Sequence, residues 1–380
     1  MLNRLVNVFK KMTSNQLILY AIVVLCCVAS IIFVHNNHSL YKRPIAQVME
    51  TKLEDTTDIT DHHRNEDRLY TQHITAKLKN GQYKGQMISL TNEYSISGAY
   101  DQPYDVGHEV FVWIDENPNE ASYLTGAITD VKRDKYMMIV LWIFIFTLLF
   151  IGRIQGLFSV VSLAINAILL SVALDIYVNN SNISLLLICG ITVILFTVTS
   201  LLLVNGVNEK TYAAIFATLL GTFSSLFITY VVMWLTSENG LRYEAMDFLT
   251  RPYQMVLMAG LFVGSLGAVM DVAITMSSSI FELYEKNNDI RDDALKRSGL
   301  DIGKDIMGTM TSILFFAYIS GSIPMLILYF KNAASLNFAL SLNLSLELAR
   351  ALAGGIGIVL TIPIGLYISI FFVNRKRAKL

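Results

Sequence analysis

Residues 254–283 read QMVLMAGLFVGSLGAVMDVAITMSSSIFEL, and this stretch decides the fold class. It is long enough to cross the hydrocarbon core of a bilayer as one helix, because a span needs about 20 mostly apolar residues. Its only charged side chains are those of Asp271 and Glu282. An apolar run of this length predicts a transmembrane helix.

The composition of the whole chain agrees with this prediction. The 380 residues are 54% hydrophobic and 16% charged, with a net charge of −1. Soluble domains have about 45–50% apolar and about 25% charged residues, so this composition excludes soluble, disordered and coiled-coil chains. The net charge gives no indication of nucleic-acid binding. Cys26, Cys27 and Cys189 lie inside apolar runs, and we interpret them as buried apolar residues rather than disulfide partners.

Further apolar runs predict a polytopic α-helical membrane protein with about eight spans. The spans are residues 17–34, 137–152, 157–175, 184–204, 211–236, 254–283, 305–330 and 346–373. The short link at 152–156 predicts a tight helical hairpin between the second and third spans. Lys and Arg concentrate in the short loops on the side of the N-terminus, so we expect both termini in the cytoplasm and an uncleaved signal anchor.

The residues between the first two spans predict an extracytoplasmic insert. Residues 35–68 are polar and acidic, which indicates a loose linker or a partly helical stalk, with His62 and His63 as solvated side chains. Residues 69–136 contain four or five short alternating strands, which predict a small β-barrel of OB-like or SH3-like type. The predicted order is a signal-anchor segment at 1–34, the linker at 35–68, the barrel at 69–136, a seven-helix membrane domain at 137–373 and a basic cytoplasmic tail at 374–380.

One face of the sixth span is small and polar. At 100° per residue, a stripe about 80° wide contains Gly260, Gly264, Gly267, Asp271, Thr275, Ser278 and Glu282, with Ala268 at its edge. Glycines at i and i+4 predict close helix packing through Gly260, Gly264, Gly267 and Ala268. An acid inside the bilayer is a candidate functional group by default, so Asp271 predicts an ion- or proton-coupling site. The alternative is a hydrogen bond that joins two helices.

Other spans have similar polar faces. With Asp271, Thr275 and Ser278, the candidate transport residues are Asn166 of the third span and Asp305 and Thr309 of the seventh. Glu347 and Arg350 are spaced i, i+3 and predict a local ion pair near the outer interface. The sequence has none of the motifs HExxH, GxSxG or GxxxxGK[ST] and no Cys/His cluster, so we expect no enzyme activity, no catalytic residues, no metal and no cofactor.

Three long motifs resemble those of the YibE/F family of bacterial membrane proteins. They are Gly264–Ser279 (GSLGAVMDVAITMSSS), Ser298–Ser312 (SGLDIGKDIMGTMTS) and Glu347–Pro363 (ELARALAGGIGIVLTIP). Lys79–Asp115 is similar to the family's N-terminal domain. The resemblance implies a multipass protein of the bacterial cytoplasmic membrane, of the long type with an external domain. It also implies a homo-oligomer, or a hetero-oligomer with a shorter paralogue, but no substrate.

The sequence therefore predicts an ion- or proton-coupled transporter, with the lipid bilayer as its surroundings and no nucleic-acid partner. The alternative is a non-catalytic scaffold or envelope-assembly factor whose external barrel binds a partner. An enzyme acting on lipid is disfavoured, because no nucleophile–base pair stands out.

Overall fold

The long apolar runs form helices. The computed structural model describes residues 14–98, 101–115, 124–180, 183–246 and 252–378. Besides two short 3₁₀ helices, Asn37–Leu40 and Tyr243–Ala245, the helices are α1 (Ser14–Asn36), α2 (Asp134–Asn179), α3 (Leu185–Asn205), α4 (Glu209–Leu235), α5 (Tyr253–Lys286), α6 (Asp292–Ser320), α7 (Ile323–Lys331) and α8 (Leu336–Arg377). The chain divides into two compact units, Met1–Leu148 and Leu149–Leu380.

Among the described residues, six helices are long and apolar enough to cross a bilayer: α1 to α5 and α8. Together α6 and α7, bent by 52°, form a seventh candidate span. The prediction of a mostly helical chain with several apolar helices long enough to span a membrane is therefore confirmed. The number of spans differs from eight because the second and third predicted spans both fall within α2.

Helix α2 contains one break rather than the predicted five-residue link at 152–156. Within its 46 residues, Arg153 has non-helical backbone angles, with φ of 49° and ψ of −124°. The angles of the other residues continue the helix on both sides. A straight helix of that length would measure about 69 Å at 1.5 Å per residue, more than twice a hydrocarbon core of about 30 Å.

The first unit contains a small mixed β-sheet. Its strands are β1 (Ile45–Thr60), β2 (Glu66–Leu78), β3 (Met87–Ser95), β4 (Glu109–Ile114) and β5 (Leu124–Val131). The pairing order is β1-β2-β3-β5-β4, and β1 pairs with β4 as well; only the β3–β5 pair is parallel. Alternate residues of each strand point to one side, where Ile74, Ile88 and Val110 are completely buried.

The structure overturns the prediction of a loose linker at 35–68. Residues 45–60 form β1, which pairs with β2 up to Thr60 and Glu66. The outer half of β1 is exposed on both faces, and most of its side chains are those of acidic residues and threonines. Because neither face enters the core there, the hydropathy pattern of a strand is absent, although the backbone ladder is complete.

A buried lysine organises the end of the sheet in the first unit. The Lys132 side chain is only 2% exposed. Its Nζ lies 3.0 Å from an Asp134 oxygen, 3.3 Å from a Glu109 oxygen and 3.1 Å from the Val34 carbonyl at the end of α1. His38 Nε2 contacts the other Glu109 oxygen at 2.8 Å. The network thus joins α1, β4 and the start of α2.

The same network shifts the pKa of Glu109. Burial alone raises this pKa, but the hydrogen bond with His38 and the charges of His38 and Lys132 lower it by more, so the net pKa is below its usual value. Glu109 is therefore held in the charged form.

Asn80 connects the turn after β2 to the segment that precedes β1. Its Oδ1 accepts a hydrogen bond from the Ile45 backbone N–H at 2.6 Å. Its Nδ2 donates to the carbonyl oxygens of His38, Tyr41 and Arg43 at 2.9, 3.0 and 3.0 Å. The side chain is buried, so it satisfies backbone groups that water does not reach.

In the second unit, α4, α5 and α8 pack together and α6 covers part of α8. Ser225 of α4 donates a hydrogen bond to the Ala353 carbonyl of α8, and Ser277 of α5 donates to the Lys210 carbonyl of α4, both at 2.6 Å. The residues at the centre of this core are apolar and almost completely buried: Val272, Met276, Ile280, Ile358 and Leu366.

Candidate functional site

Helix α5 has two chemically different faces, and the apolar face is the one that enters the core. Leu261, Val269 and Met276 are buried against the neighbouring helices. The opposite side, which we call the α5 polar face, consists of Gly260, Gly264, Gly267, Asp271, Thr275, Ser278 and Glu282. Most of these residues are exposed on the isolated chain, and Ser278 is half-buried.

The glycines of this face do not have the packing role predicted for them as a group. A Cβ atom on Gly264 would meet the Tyr318 hydroxyl of α6, so only this glycine is in close contact with another helix. The nearest atom to a Cβ on Gly260 is Arg350 Nε, at 3.9 Å, and within the described residues Gly267 has no neighbour inside 4 Å. The fourth predicted packing residue, Ala268, is half-buried and packs at the edge of the core.

The glycines that bring helices together lie elsewhere in this unit. A Cβ on Gly221 of α4 would overlap the Thr361 hydroxyl of α8. A Cβ on Gly357 of α8 would lie 3.0 Å from a methyl group of Val269 on α5. Two glycines of α6 likewise lie against side chains of α8, Gly299 and Gly303. Close helix approach in this bundle therefore depends on glycines of α4, α6 and α8 and not on the open part of the α5 polar face.

Asp271 is the central charged group of the α5 polar face. It lies 18 residues after Tyr253, about 27 Å along the helix axis at 1.5 Å per residue. Its backbone carbonyl accepts a hydrogen bond from Thr275 Oγ1 at 2.7 Å. In the part of the chain that the structure describes, its carboxylate has no hydrogen-bond or ion-pair partner. A charged group at the centre of a spanning helix costs on the order of 2.5–3.5 kcal/mol, so an unpartnered one needs water or a proton.

At one end, the α5 polar face meets an ion pair from α8. Arg350 and Glu347 are paired within one helical turn, and their side chains are 25% and 22% exposed. Beside them, the Tyr318 hydroxyl is buried and has no hydrogen-bond partner among the described residues. The predicted ion pair therefore exists, and it lies beside Gly260 and Gly264 rather than alone at the surface.

At the other end, the α5 polar face reaches a cavity of about 640 Å³. Residues from the start of α4, the last third of α5 and the end of α8 line it: Asn208, Glu209, Lys210, Ser278, Phe281, Glu282, Glu285 and Lys376. Ser278 was predicted as a transport residue, whereas Lys210 and Lys376 were not singled out from the sequence. Their only signal is a basic residue near a helix end, which is too common to select them.

The Asp305 and Thr309 side chains lie on the exposed side of α6, away from the buried Gly303 and Leu314. Thr309 Oγ1 donates a hydrogen bond to the Ile306 carbonyl of its own helix at 2.9 Å. No hydrogen bond or ion pair joins either residue to Asp271 in the described ranges. The structure therefore places these two predicted residues on a separate polar face.

Asn166 belongs to a helix contact between α2 and α3. Its Nδ2 donates to Ser200 Oγ at 2.7 Å, and its Oδ1 accepts from Thr199 Oγ1 at 3.2 Å. Ser162 Oγ lies 3.0 Å from the same Ser200 hydroxyl. This cluster uses both ends of the amide to join two helices, which is the usual role of polar side chains inside a helical bundle.

Comparison with known protein families gives two matches, one for each part of the chain. The model of the YibE/F-like protein family matches residues 140–375. The model of the YibE/F family N-terminal domain matches residues 39–131, which includes all five strands from β1 onward. No curated protein and no solved structure matches the chain.

Proposed function

The chain belongs to the YibE/F family, and on that premise we propose that it is an ion- or proton-coupled membrane transporter. The observation that carries the proposal is Asp271, a carboxylate without a polar partner in the described residues, midway along an apolar helix. Binding of a proton or another cation compensates the cost of the carboxylate charge, and release of the bound proton or cation restores that charge. A coupling group in a transporter alternates between these two states.

The surroundings of Asp271 support a pathway along the α5 polar face. Open glycine surface at Gly267 leaves room beside the helix, and hydroxyl groups of Thr275 and Ser278 continue from Asp271 towards the cavity. Small residues also permit the sliding of helices that alternating access requires. The α6 face with Asp305 and Thr309 is a second polar surface of the same transporter.

We propose eight membrane crossings in the bacterial cell membrane, with both termini in the cytoplasm. In this arrangement α2 crosses twice, with its turn at Arg153, where the backbone angles leave the helical range. The excess of Lys and Arg in the loops of one side supports the orientation. The external sheet is then a small barrel of OB-like or SH3-like type, supported by the pairing of β1 with both β2 and β4.

A second subunit would cover the α5 polar face. In one chain this face is open, and small residues such as Gly260 and Gly267 allow another helix to approach closely. The covering subunit is a second copy of this chain or a shorter paralogue of the family.

The test is flux into liposomes that contain the purified chain, measured with a pH-sensitive dye and ion tracers. We expect flux from the wild type that Asp271→Asn removes, because asparagine keeps the size of the side chain but cannot exchange a proton. Asp301→Asn is the matched control, since Asp301 is exposed and paired with Lys304 on α6. Equal flux from wild type and Asp271→Asn would contradict the proposal.

A scaffold that binds a partner through the external sheet is the second candidate. The favouring observation is a set of exposed apolar side chains on the strands: Met49 and Leu53 of β1 and Trp113 of β4, the last 61% exposed. Exposed large aromatic residues are enriched at protein interfaces. This candidate predicts that removal of residues 45–131 abolishes function, whereas Asp271→Asn is tolerated.

A further inference from the structure

The cavity at the end of the α5 polar face is large enough to hold bulk-like water. Its volume of about 640 Å³ far exceeds the space that one water molecule needs, about 30 Å³ in the liquid. All the lining residues except Phe281 are polar or charged, so water inside it finds hydrogen-bond partners. Lys210 is half-buried in this lining, and within the described residues its ammonium group has no ion-pair partner.

The rim of the cavity is held in place by ion pairs. Lys376 of α8 lies 3.4 Å from a Glu285 oxygen of α5, and its Nζ also lies 5.9 Å from the centre of the Phe281 ring. Lys286 is 2.7 Å from a Glu282 oxygen. The Lys376 contacts join the end of α8 to α5, whereas the Lys286–Glu282 pair lies within α5 itself.

A row of polar side chains connects this cavity to Asp271. Thr275, Ser278 and Glu282 follow Asp271 at intervals of four, three and four residues, which places them on one side of α5. Ser278 lines the cavity and lies about 10 Å along the axis from Asp271, at 1.5 Å per residue. Thr275, between them, is exposed rather than covered by another helix. No apolar residue of the core interrupts the row.

We infer that this cavity is the aqueous port through which protons reach Asp271 from the side of the membrane proposed as cytoplasmic. The inference rests on the proposed function, since it takes Asp271 as the coupling carboxylate. In the transfer step, a hydronium ion in the port releases its proton, which water molecules along the Thr275–Ser278 row relay to a carboxylate oxygen of Asp271. A water molecule remains in the port and a neutral carboxyl group in the helix.

A proton fits the geometry better than a metal cation. Ca²⁺, for example, takes six to eight oxygen ligands. Asp271 offers one carboxylate, and the neighbouring Thr275 hydroxyl, which donates its hydrogen to a backbone carbonyl, adds at most one more oxygen ligand. A single carboxylate oxygen is sufficient to hold a proton.

The first part of the test measures whether the port contains water. In a chain with Cys26, Cys27 and Cys189 changed to alanine, Ser278→Cys is treated with a membrane-impermeant maleimide in inside-out vesicles. The matched control is Ala273→Cys, because Ala273 is on the same helix and completely buried. We expect Ser278→Cys to react at least about tenfold faster, since the reactivity of a buried group follows the population of its open state.

The second part measures whether the port leads to Asp271. A water-soluble carbodiimide modifies carboxyl groups, and mass spectrometry reports the modification of Asp271. We expect the maleimide on Ser278→Cys to slow this modification at least about tenfold. Residue 278 lies between the cavity and Thr275 on the polar row, so a bulky group there blocks the reagent's access to Asp271. Modification by dicyclohexylcarbodiimide, which arrives through the lipid, should be unchanged. Ser278→Phe in the wild-type background provides the same block without thiol chemistry.

Two results would overturn the inference. The first is that Ser278→Cys reacts with the maleimide as slowly as Ala273→Cys does. The second is that the water-soluble carbodiimide modifies Asp271 at the same rate when Ser278→Cys carries the maleimide, or when position 278 is changed by Ser278→Phe. Neither measurement needs transport. Failure of the proposed function, seen as absent flux in liposomes, is therefore distinguishable from failure of the port.

Discussion

Replacing Lys132 by methionine should loosen the end of the β-sheet in the first unit. The substitution keeps the length of the side chain and removes an ammonium group that contacts Glu109, Asp134 and the Val34 carbonyl. Removing one partner of a buried ion pair costs about 3–5 kcal/mol, because the remaining charge is left without compensation. Glu109 keeps its contact with His38, so we expect the lower end, about 3 kcal/mol, or somewhat more than a hundredfold in the opening equilibrium.

The assay is hydrogen exchange of the full chain in detergent, followed by mass spectrometry. Backbone amides of β4 and β5 report opening of the sheet, since Val110 pairs with Val131 there. Arg133→Met is the matched control, because it removes the same charge from an exposed neighbouring side chain. Adding Glu109→Gln and Asp134→Asn to Lys132→Met should recover most of the loss, because no uncompensated carboxylate then remains.

A loss below about 1 kcal/mol for Lys132→Met would refute this reasoning. Exposed ion pairs contribute that little, so such a result would mean that solvent screens the network despite its burial. A loss that the triple variant does not recover would also count against it. In that case packing of the lysine methylene groups would account for the stability.

Three further predictions concern single features of the fold. Asn80→Ala should destabilise the β-sheet by at least about 2 kcal/mol in chemical unfolding, because it leaves the Ile45 N–H and three carbonyls without this partner. Gly221→Ala should lower the thermal stability of the detergent-solubilised chain, because its Cβ would overlap the Thr361 hydroxyl. The pKa of Glu109 is lowered in the fold, so its stabilising effect is present above its usual value of 4.5 and disappears as pH falls through the lowered pKa. The protection of the β4 amides, measured by hydrogen exchange and corrected for the intrinsic pH dependence of exchange, should accordingly fall in acid in the wild type and less in Glu109→Gln.

The helices were predictable from sequence because each depends on a local apolar run. Even the break near Arg153 follows from the charged and polar residues of the 152–156 link. The β1–β2 ribbon was not predictable in this way. Its residues 51–60 are exposed on both faces, so the backbone ladder with β2 leaves no trace in hydropathy. That part of β1 is defined only by its pairing with β2, which a residue's own local sequence does not reveal.

The candidate site was predictable in composition but not in surroundings. Periodicity alone placed Asp271 and Ser278 on one face of α5, and the structure keeps them there. The periodicity could not reveal which face of α5 enters the core, because an apolar side chain suits both lipid and protein neighbours. Lys210 and Lys376 come to the same cavity from the ends of two other helices, and no local pattern records that meeting.

Gly267 separates the two interpretations of the glycine pattern. Glycines that pack helices have neighbours at contact distance, as Gly357 has with Val269 at 3.0 Å. No atom of the described residues lies within 4 Å of a Cβ on Gly267, so the fold of one chain does not require glycine there. Gly267→Leu should therefore leave the thermal stability of the monomeric chain unchanged, whereas Gly264→Leu should lower it by displacing Tyr318.

The same variant tests what uses the open surface. A leucine at position 267 would fill the α5 polar face one turn from Asp271, so it should abolish proton flux while the fold is intact. If a second subunit covers the face, cross-linking between subunits should fall as well, because a large side chain prevents close helix approach. Normal flux and normal cross-linking in a stable Gly267→Leu chain would mean that neither a pathway nor a partner uses this face.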